Sequence, residues 1–242
     1  MTVLVTRPGE QGKALCQQLA NIGLSALHHP LINIEAGTDL PHLIPDIHQC
    51  DVIIAVSQHA VIFSDQFLRN QRSFWSPTVR YLAVGQKTAH LLSKATGQSV
   101  NYPQVSDSEH LLKLTELQAI SGKNIIILRG NGGRELINET LTQRGGRIQY
   151  KEVYRRVDIP FSARQCVESW QQAKVDSLVI TSSHQLTFFM SQFDETELAW
   201  VYQLTLIVPS QRIALDAKAL GFKHIVTACS ATNPDLVAAL QP

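Results

Sequence analysis

The sequence predicts an α/β protein made of two copies of one parallel-sheet lobe, and three observations carry that reading. Short, wholly apolar runs recur along the 242 residues, among them Val3-Leu4-Val5, Val52-Ile53-Ile54-Ala55-Val56, Ile125-Ile126-Ile127-Leu128 and Leu206-Ile207-Val208. Each ends in turn residues and leads into a segment of helical period, the pattern of strands buried on both faces by crossover helices. The chain also matches itself. A slide of 122 positions lays Arg7 on Arg129, Leu19 on Leu141 and Gly23 on Gly145. A slide of 125 lays Asp51 on Asp176, Ser57 on Ser182, His59 on His184, Phe63 on Phe188, Trp75 on Trp200 and Lys87 on Arg212. Two nearly equal offsets sustained along the chain mean duplicated lobes of about five strands each. The repeat leaves open whether the copies stand in tandem, with a break near residue 122, or interleave.

Taken in order, residues 3–8 form a strand ending at Arg7-Pro8-Gly9. A helix with Ala14, Leu15, Leu19 and Ala20 on one face follows, capped by Gly23, and a β-rich run continues through His28-His29-Pro30-Leu31-Ile32. Pro41 and Pro45 punctuate the approach to strand 51–56, whose turn is Ser57-Gln58-His59. The next strand ends in Leu82-Ala83-Val84-Gly85, and its helix stops near Gly97. The clearest unit spans residues 125–156. Strand 125–128 runs into Arg129-Gly130-Asn131-Gly132-Gly133, then a helix with Leu136, Ile137, Thr140 and Leu141 on one face, stopped by Arg144-Gly145-Gly146, and a strand ending in Val153-Tyr154-Arg155-Arg156. A right-handed crossover makes those strands parallel and sets the glycine turn and the helix N-terminus at their carboxyl end, where open α/β sheets bind ligands. Strand 176–181 with its turn Ser182-Ser183-His184, and strand 206–208 leading into Pro209-Ser210, repeat the pattern, with a last glycine stop near Gly221.

Composition excludes several classes. Hydrophobic residues at 44% and charged residues at 17% suit a globular chain, and a net charge of +1 supplies no global field for nucleic acid. Anion recognition has to come from a local cluster, and the turn at 129–133 has one in Arg129, Arg134, Arg144, Arg147, Arg155 and Arg156. Arg134, Arg144 and Arg147 read as a solvated helix face, whereas Arg129 sits at the strand-to-turn junction and is a candidate ligand contact. Cys16, Cys50, Cys166 and Cys229 are scattered, as expected of reduced cysteines in a cytoplasmic protein. Met1 leads straight into a strand, so no signal peptide is expected, and no apolar run is long enough for a membrane span.

Cofactor motifs fail on inspection. Gly130-Asn131-Gly132-Gly133 invites a dinucleotide reading, but Glu135 holds the position where a fingerprint needs Gly or Ala, and no Gly-Lys-Ser or Gly-Lys-Thr marks a nucleotide loop. The nine histidines lie apart except for His28-His29 and show no metal-ligand spacing. His59 and His184, at equivalent turns, are the histidines best placed for function. Ser57, Ser182 and Ser183 lack a nucleophile elbow, so their hydroxyls and the neighbouring N–H groups suit anion binding instead. The residues alone therefore give a two-lobed α/β protein with an anionic small-molecule ligand, and no reaction.

The motifs Val5-Thr6-Arg7-Pro8, Ala83-Val84-Gly85-Gln86-Lys87-Thr88-Ala89, Arg129-Gly130 to Gly145-Gly146, Val153-Tyr154-Arg155-Arg156 and Ile180-Thr181-Ser182-Ser183, in that order along essentially the whole chain, resemble the uroporphyrinogen-III synthase family. Val208-Pro209-Ser210-Gln211-Arg212-Ile213-Ala214 departs from the commoner family form there, replacing a threonine. The resemblance implies two flavodoxin-like parallel-sheet lobes joined by a two-stranded β ladder, with interleaved connectivity. One lobe would combine 1–35 with 173–242, the other would hold 36–172, and residues 31–35 and 154–158 would form the ladder. The implied activity is a cofactor-independent lyase reaction of haem and related tetrapyrrole synthesis. Hydroxymethylbilane, a linear tetrapyrrole with eight carboxylates, loses water and closes to uroporphyrinogen III with its last ring inverted. Its implied setting is a cytoplasmic monomer with no metal, organic cofactor, nucleic acid or membrane partner. Tyr154 is the implied catalytic residue. Arg7, Ser57, Thr88, Arg129, Ser182, Ser183, Ser210 and Arg212 are the expected substrate contacts, in a cleft between the lobes. A two-lobed binding module without catalysis, or a nucleotide-dependent transferase, would share the fold; product formation from hydroxymethylbilane separates them from the synthase.

Overall fold

The structure, a computed structural model, describes residues 1–241. In chain order its strands and α-helices are β1 (Thr2–Val5), α1 (Gly9–Asn21), β2 (Ser25–His28), β3 (Ile32–Ala36), α2 (Leu43–Gln49), β4 (Val52–Ala55), α3 (Gln58–Asn70), β5 (Arg80–Ala83), α4 (Gln86–Thr96), β6 (Val100–Asn101) and α5 (Ser108–Leu111). There follow β7 (Asn124–Gly130), α6 (Leu136–Gln143), β8 (Arg147–Asp158), α7 (Ala163–Gln172), β9 (Val175–Val179), α8 (Ser183–Met190), α9 (Glu195–Val201), β10 (Thr205–Val208), α10 (Gln211–Ala219), β11 (Ile225–Thr227) and α11 (Asn233–Ala239). No helix among the described residues is long and apolar enough to cross a membrane.

The chain forms two compact units. The first joins Met1–Ile34 to the chain from Val157 onward, and the second is the contiguous stretch Glu35–Arg156. In the first unit the sheet runs β2-β1-β9-β10-β11, all parallel. In the second it runs β8-β7-β4-β5-β6, also parallel, with β3 added beside β8. Both have the flavodoxin order 2-1-3-4-5, the second counted from β7, so the two lobes are circular permutations of one plan. The offsets of 122 and 125 reflect that permutation. Each lobe has one topological switch point, between β1 and β9 and between β7 and β4, and it is at the carboxyl ends of such strands that ligands sit.

The apolar runs build these sheets by burying both faces. In the first unit Leu4, Leu178, Leu206 and Val208 pack on one face with Val167, Trp170, Phe189 and Phe222. The alternate residues Val3, Val5, Val179 and Ile207 pack on the other with Leu15, Leu19 and Leu236. In the second unit Val52, Ile54, Leu82, Ile125 and Ile127 share a face with Ile137 and Leu141 of α6.

Two expectations need correction here. The boundary expected at 172/173 lies at 156/157, because α7 turns Val167 and Trp170 into the first unit's core beside Leu4 and Leu178. The helix therefore belongs to the lobe of the strand it precedes. Arg144 is also no solvated residue: its Nη1 donates to the carbonyls of Leu112 (2.8 Å) and Leu117 (2.9 Å) and so ties the end of α6 to the chain around α5.

The chain passes between units along β3 and β8. Ile159 N donates to Leu31 O (2.9 Å) and Gly37 N to Val153 O (3.0 Å), a pairing in which one segment descends as the other ascends, so this ladder is antiparallel. Cutting the chain at residue 122 would part β4 from β7 inside one sheet. The fragments 1–122 and 123–242 are accordingly expected to show no cooperative thermal transition when expressed separately, whereas 35–156 keeps a complete sheet and melts cooperatively. Two cooperative, monomeric halves from the cut at 122 would contradict this topology.

Candidate active site

Both switch points collect polar side chains, for a local reason. A buried strand ends, the chain stays extended for one residue, and a helix begins with a serine at its N-cap. Ser57 before α3, Ser182 before α8 and Ser210 before α10 all take this role, accepting from the amides of Ala60 (3.2 Å), Gln185 (3.2 Å) and Ile213 (3.5 Å). Gly85 takes the place equivalent to Ser210 before α4, in the same extended conformation but with no side chain to donate. A capping serine spends an acceptor lone pair on the helix and keeps its hydroxyl hydrogen free to donate. Those hydrogens, with the positive end of the helix, suit a carboxylate.

In the second unit the register of β8 shifts between Glu152, opposite Arg129, and Tyr154, opposite Gly130, and beyond that shift Tyr154 and Arg156 leave the strand on the same side. Tyr154 is buried at 2% exposure. Its ring lies against Gly130, where a Cβ would stand 2.5 Å from the ring carbons, so β7 and β8 can approach only because residue 130 is glycine. Two donors converge on the phenolic oxygen, the Ser57 hydroxyl at 3.1 Å and an Arg156 Nη2 at 3.1 Å. The Arg156 guanidinium also lies 5.4 Å from the Tyr154 ring centre, and His59 and Phe63 stand 5.5 and 6.3 Å from it. Tyr154, Ser57 and Arg156 are thus one hydrogen-bonded group.

Burial, with a further contribution from Arg156, pushes the His59 imidazole below its ordinary 6.5. Folding then favours the neutral ring. The effect is absent above pH 6.5, appears as the unfolded chain begins to protonate, and grows as pH falls toward the depressed value. His29, also lowered chiefly by burial, adds in the same direction. Urea midpoints should fall from pH 7 to pH 5.5, and less steeply in His59→Gln than in the wild type. Equal slopes would rule His59 out as a source.

The other face of the same switch point holds Arg129. Its residue is 8% exposed; the guanidinium lies 4.2 Å from the ring centre of Tyr150, and Nη1 donates to Glu135 at 3.0 Å. Thr88 is buried on the first turn of α4, while the neighbouring Lys87 is exposed and lines a cavity of about 580 Å³ with Gln58, Gln86, His90 and Tyr102.

In the first unit Ser183 Oγ donates to Asp216 (2.6 Å) and accepts from Arg212 Nη1 (2.7 Å), which fixes the guanidinium above the N-termini of α8 and α10. His184 Nε2 lies 2.8 Å from Asp158. Arg7 is drawn the other way: it donates to Ala231 O (2.7 Å), to Asn233 and to Gln11 (2.6 Å), and ties β1 to the start of α11. Desolvation lowers its affinity for a proton.

Residues 13–238 match the family Uroporphyrinogen-III synthase HemD. The chain belongs to the uroporphyrinogen-III synthase family. It is 39% identical to the uroporphyrinogen-III synthase of Escherichia coli K12 and 38% identical to that of Salmonella typhimurium LT2, in both cases over 100% of either chain. The fold matches a crystal structure of a mutant uroporphyrinogen III synthase from the extremely thermophilic bacterium Thermus thermophilus with a TM-score of 0.64 at 17% identity, over 100% of this chain and 96% of that one. A uroporphyrinogen-III synthetase structure from Helicobacter pylori matches at 0.60 and 17%, covering 99% of each chain.

Of the residues singled out by resemblance to the uroporphyrinogen-III synthases, the structure brings Ser57 to Tyr154, and Ser183 to Arg212. Ser182 and Ser210 cap neighbouring helices. Arg129 lies on the other face from Tyr154, and Arg7 is already committed to neutral oxygens. Sequence reasoning overlooked Arg156 as a partner of Tyr154, although the strand period offered it. It also passed over Glu135 and Tyr150 around Arg129, and Asp216 behind Ser183.

Proposed function

We infer that this protein closes hydroxymethylbilane to uroporphyrinogen III, with loss of water and inversion of the last pyrrole ring. The observation that carries the reading is the full-length match to curated synthases at 39% identity. The chemistry of the strand ends agrees with it. The substrate carries eight carboxylates, and both lobes offer cations and capping hydroxyls at the carboxyl ends of their sheets. Unassisted closure gives the uninverted isomer, so the protein's task is chiefly to position a flexible polyanion.

We assign substrate carboxylates to Arg129, Thr88 and the α3 N-terminus at Ser57 in the second unit, where the Ser57 hydroxyl hydrogen is itself engaged by Tyr154, and to Ser182, Ser183, Ser210, Arg212 and Arg7 in the first. Arg7 contributes least, since its donors are already spent within the fold. Tyr154 is assigned as the acid for the departing hydroxyl. An un-ionised phenol can donate, and the hydrogen bonds from Ser57 and Arg156 leave its own hydrogen as the one available. The same two donors would hold the phenolate oxygen once the proton has gone. The protein is read as a monomer in the cytoplasm, a compartment that its four free cysteines suit; its solution mass should be that of one chain.

The deciding assay supplies hydroxymethylbilane and resolves the two uroporphyrinogen isomers after oxidation to the porphyrins. Isomer III should dominate, formed faster than isomer I forms without protein. Isomer I alone, at the uncatalysed rate, would leave a binding protein.

A further inference from the structure

The Arg129 guanidinium is built into a seat that its fold only partly fills. Val56, Val84, Ile127, Ile137, Tyr150 and the turn Gly132-Gly133 line a cavity of about 150 Å³ beside it. The turn wraps the cation closely: Gly132 and Gly133 have φ of +92° and +133°, and a Cβ on Gly133 would stand 3.0 Å from Arg129 Nη2. A side chain at 133 would crowd the guanidinium, and the backbone at both positions is one that glycine adopts without strain. A guanidinium carries five N–H donors, and its bond to Glu135 uses Nη1 alone. The Tyr150 hydroxyl is buried and lies beside both the Glu135 carboxylate and the Arg129 guanidinium, with neither in the geometry of a full hydrogen bond. Burial and that carboxylate push the phenol up to about 12, so it is a donor at every working pH.

Glu135 itself is not part of the buried set. Its side chain is 52% exposed, against 10% for Arg129, and it comes from the residue preceding α6. A solvent-facing carboxylate thus rests on a buried cation that has a cavity and an under-used phenol beside it.

We propose that Glu135 is a resident carboxylate holding the anion seat of Arg129, and that the cavity takes an acetate- or propionate-type group in its place, with Tyr150 donating to the second oxygen. The volume suits a carboxylate side arm and is too small for a substituted pyrrole, so the seat reads an arm of a larger molecule and not its ring. This deepens the proposed function and rests on it for the natural ligand. The exchange needs no covalent step and leaves net charge in the seat unchanged, which makes it readily reversible. Glu135 also spares the free protein a buried, unpaired cation.

Sodium propionate is the probe, titrated at constant ionic strength and followed by the guanidinium resonances of Arg129 in nitrogen-labelled protein. Glu135→Gln removes the resident charge from an exposed position and should leave the fold intact. It should bind propionate roughly twofold to fivefold more tightly than the wild type, the gain expected from releasing a half-exposed ion pair. Tyr150→Phe in the Glu135→Gln background should give most of that gain back. Wild-type affinity in Glu135→Gln, or an Arg129 signal that does not respond to propionate, overturns the proposal. The readout needs no turnover, so absence of uroporphyrinogen III formation would be a separate result and would strike the proposed function alone.

Discussion

Tyr154→Phe is expected to lower kcat by about tenfold to a hundredfold, the low end of what a general acid supplies, because this substrate's hydroxyl leaves readily. The ring stays, so its packing on Gly130 stays. What goes is the oxygen that accepts from Ser57 and Arg156. Ser57 keeps its role as the cap of α3, and Arg156 is exposed and can turn to water, so stability should change by no more than about 1 kcal/mol. The split between constants is informative. A fall in kcat with KM held marks an acid. A rise in KM with kcat held would mean that the phenol serves to orient Arg156, a role its 2% exposure would also suit. Retention of both constants would retire Tyr154 from the mechanism. The surviving product should still be isomer III, since ring inversion is a matter of how the whole polyanion is held.

Trp170→Ala carries the largest expected loss of stability. Trp170 is 4% exposed and stacks on Phe189 and Trp200, with ring centres 6.0 and 6.1 Å away and planes at 25° in both pairs; the His29 and Phe161 rings lie against it at 5.0 and 5.8 Å. Emptying such a site removes both transfer energy and contacts the neighbours cannot rebuild, about 3–5 kcal/mol for an aromatic cut to alanine. At roughly 2–4 °C per kcal/mol for a protein of this size, Tm should drop by about 6–20 °C. The loss falls on the first unit, so calorimetry should show the first unit melting ahead of the second. A single transition lowered by less than about 3 °C would show that Trp170 is not an anchor of that core.

How much of this could be read from the chain depends on the range of the interaction. The β7 unit was legible throughout: apolar run, glycine turn, Ile137 and Leu141 at helical spacing, glycine stop and parallel return all lie within a stretch where local rules act. The capping serines were legible as polar strand ends but not as caps joined to a tyrosine. Ser57 meets Tyr154 across 97 residues, through the register of β4, β7 and β8, and no local pattern encodes that distance. Arg7 shows the converse. Its place at a strand end made it a substrate contact on paper, while its partners Ala231 and Asn233 arrive from the far end of the chain. Glu135 was read only as a fault in a dinucleotide fingerprint, because fingerprints describe what a motif lacks and say nothing of a charge placed to answer Arg129. The allocation of α7 was missed for a similar reason: amphipathicity shows that a helix packs, not which of two similar sheets receives it.

The interleaved chain has a consequence for birth on the ribosome. β1 is an inner strand of its sheet, between β2 and β9, yet it is the first strand made, and β9 begins only at Val175. At roughly 5–20 residues per second of translation, the wait between them is roughly ten to thirty seconds. Through that interval Val3, Leu4 and Val5, each fully buried at the end, have no sheet partner but β2 and no apolar cover beyond α1. The second unit closes meanwhile, since everything it needs has emerged by Arg156. The nascent protein therefore carries a finished lobe and a sticky hairpin-sized orphan at the same time. Its vulnerability to aggregation lies in the opening residues, and synthesis that stalls after the second unit prolongs that exposure.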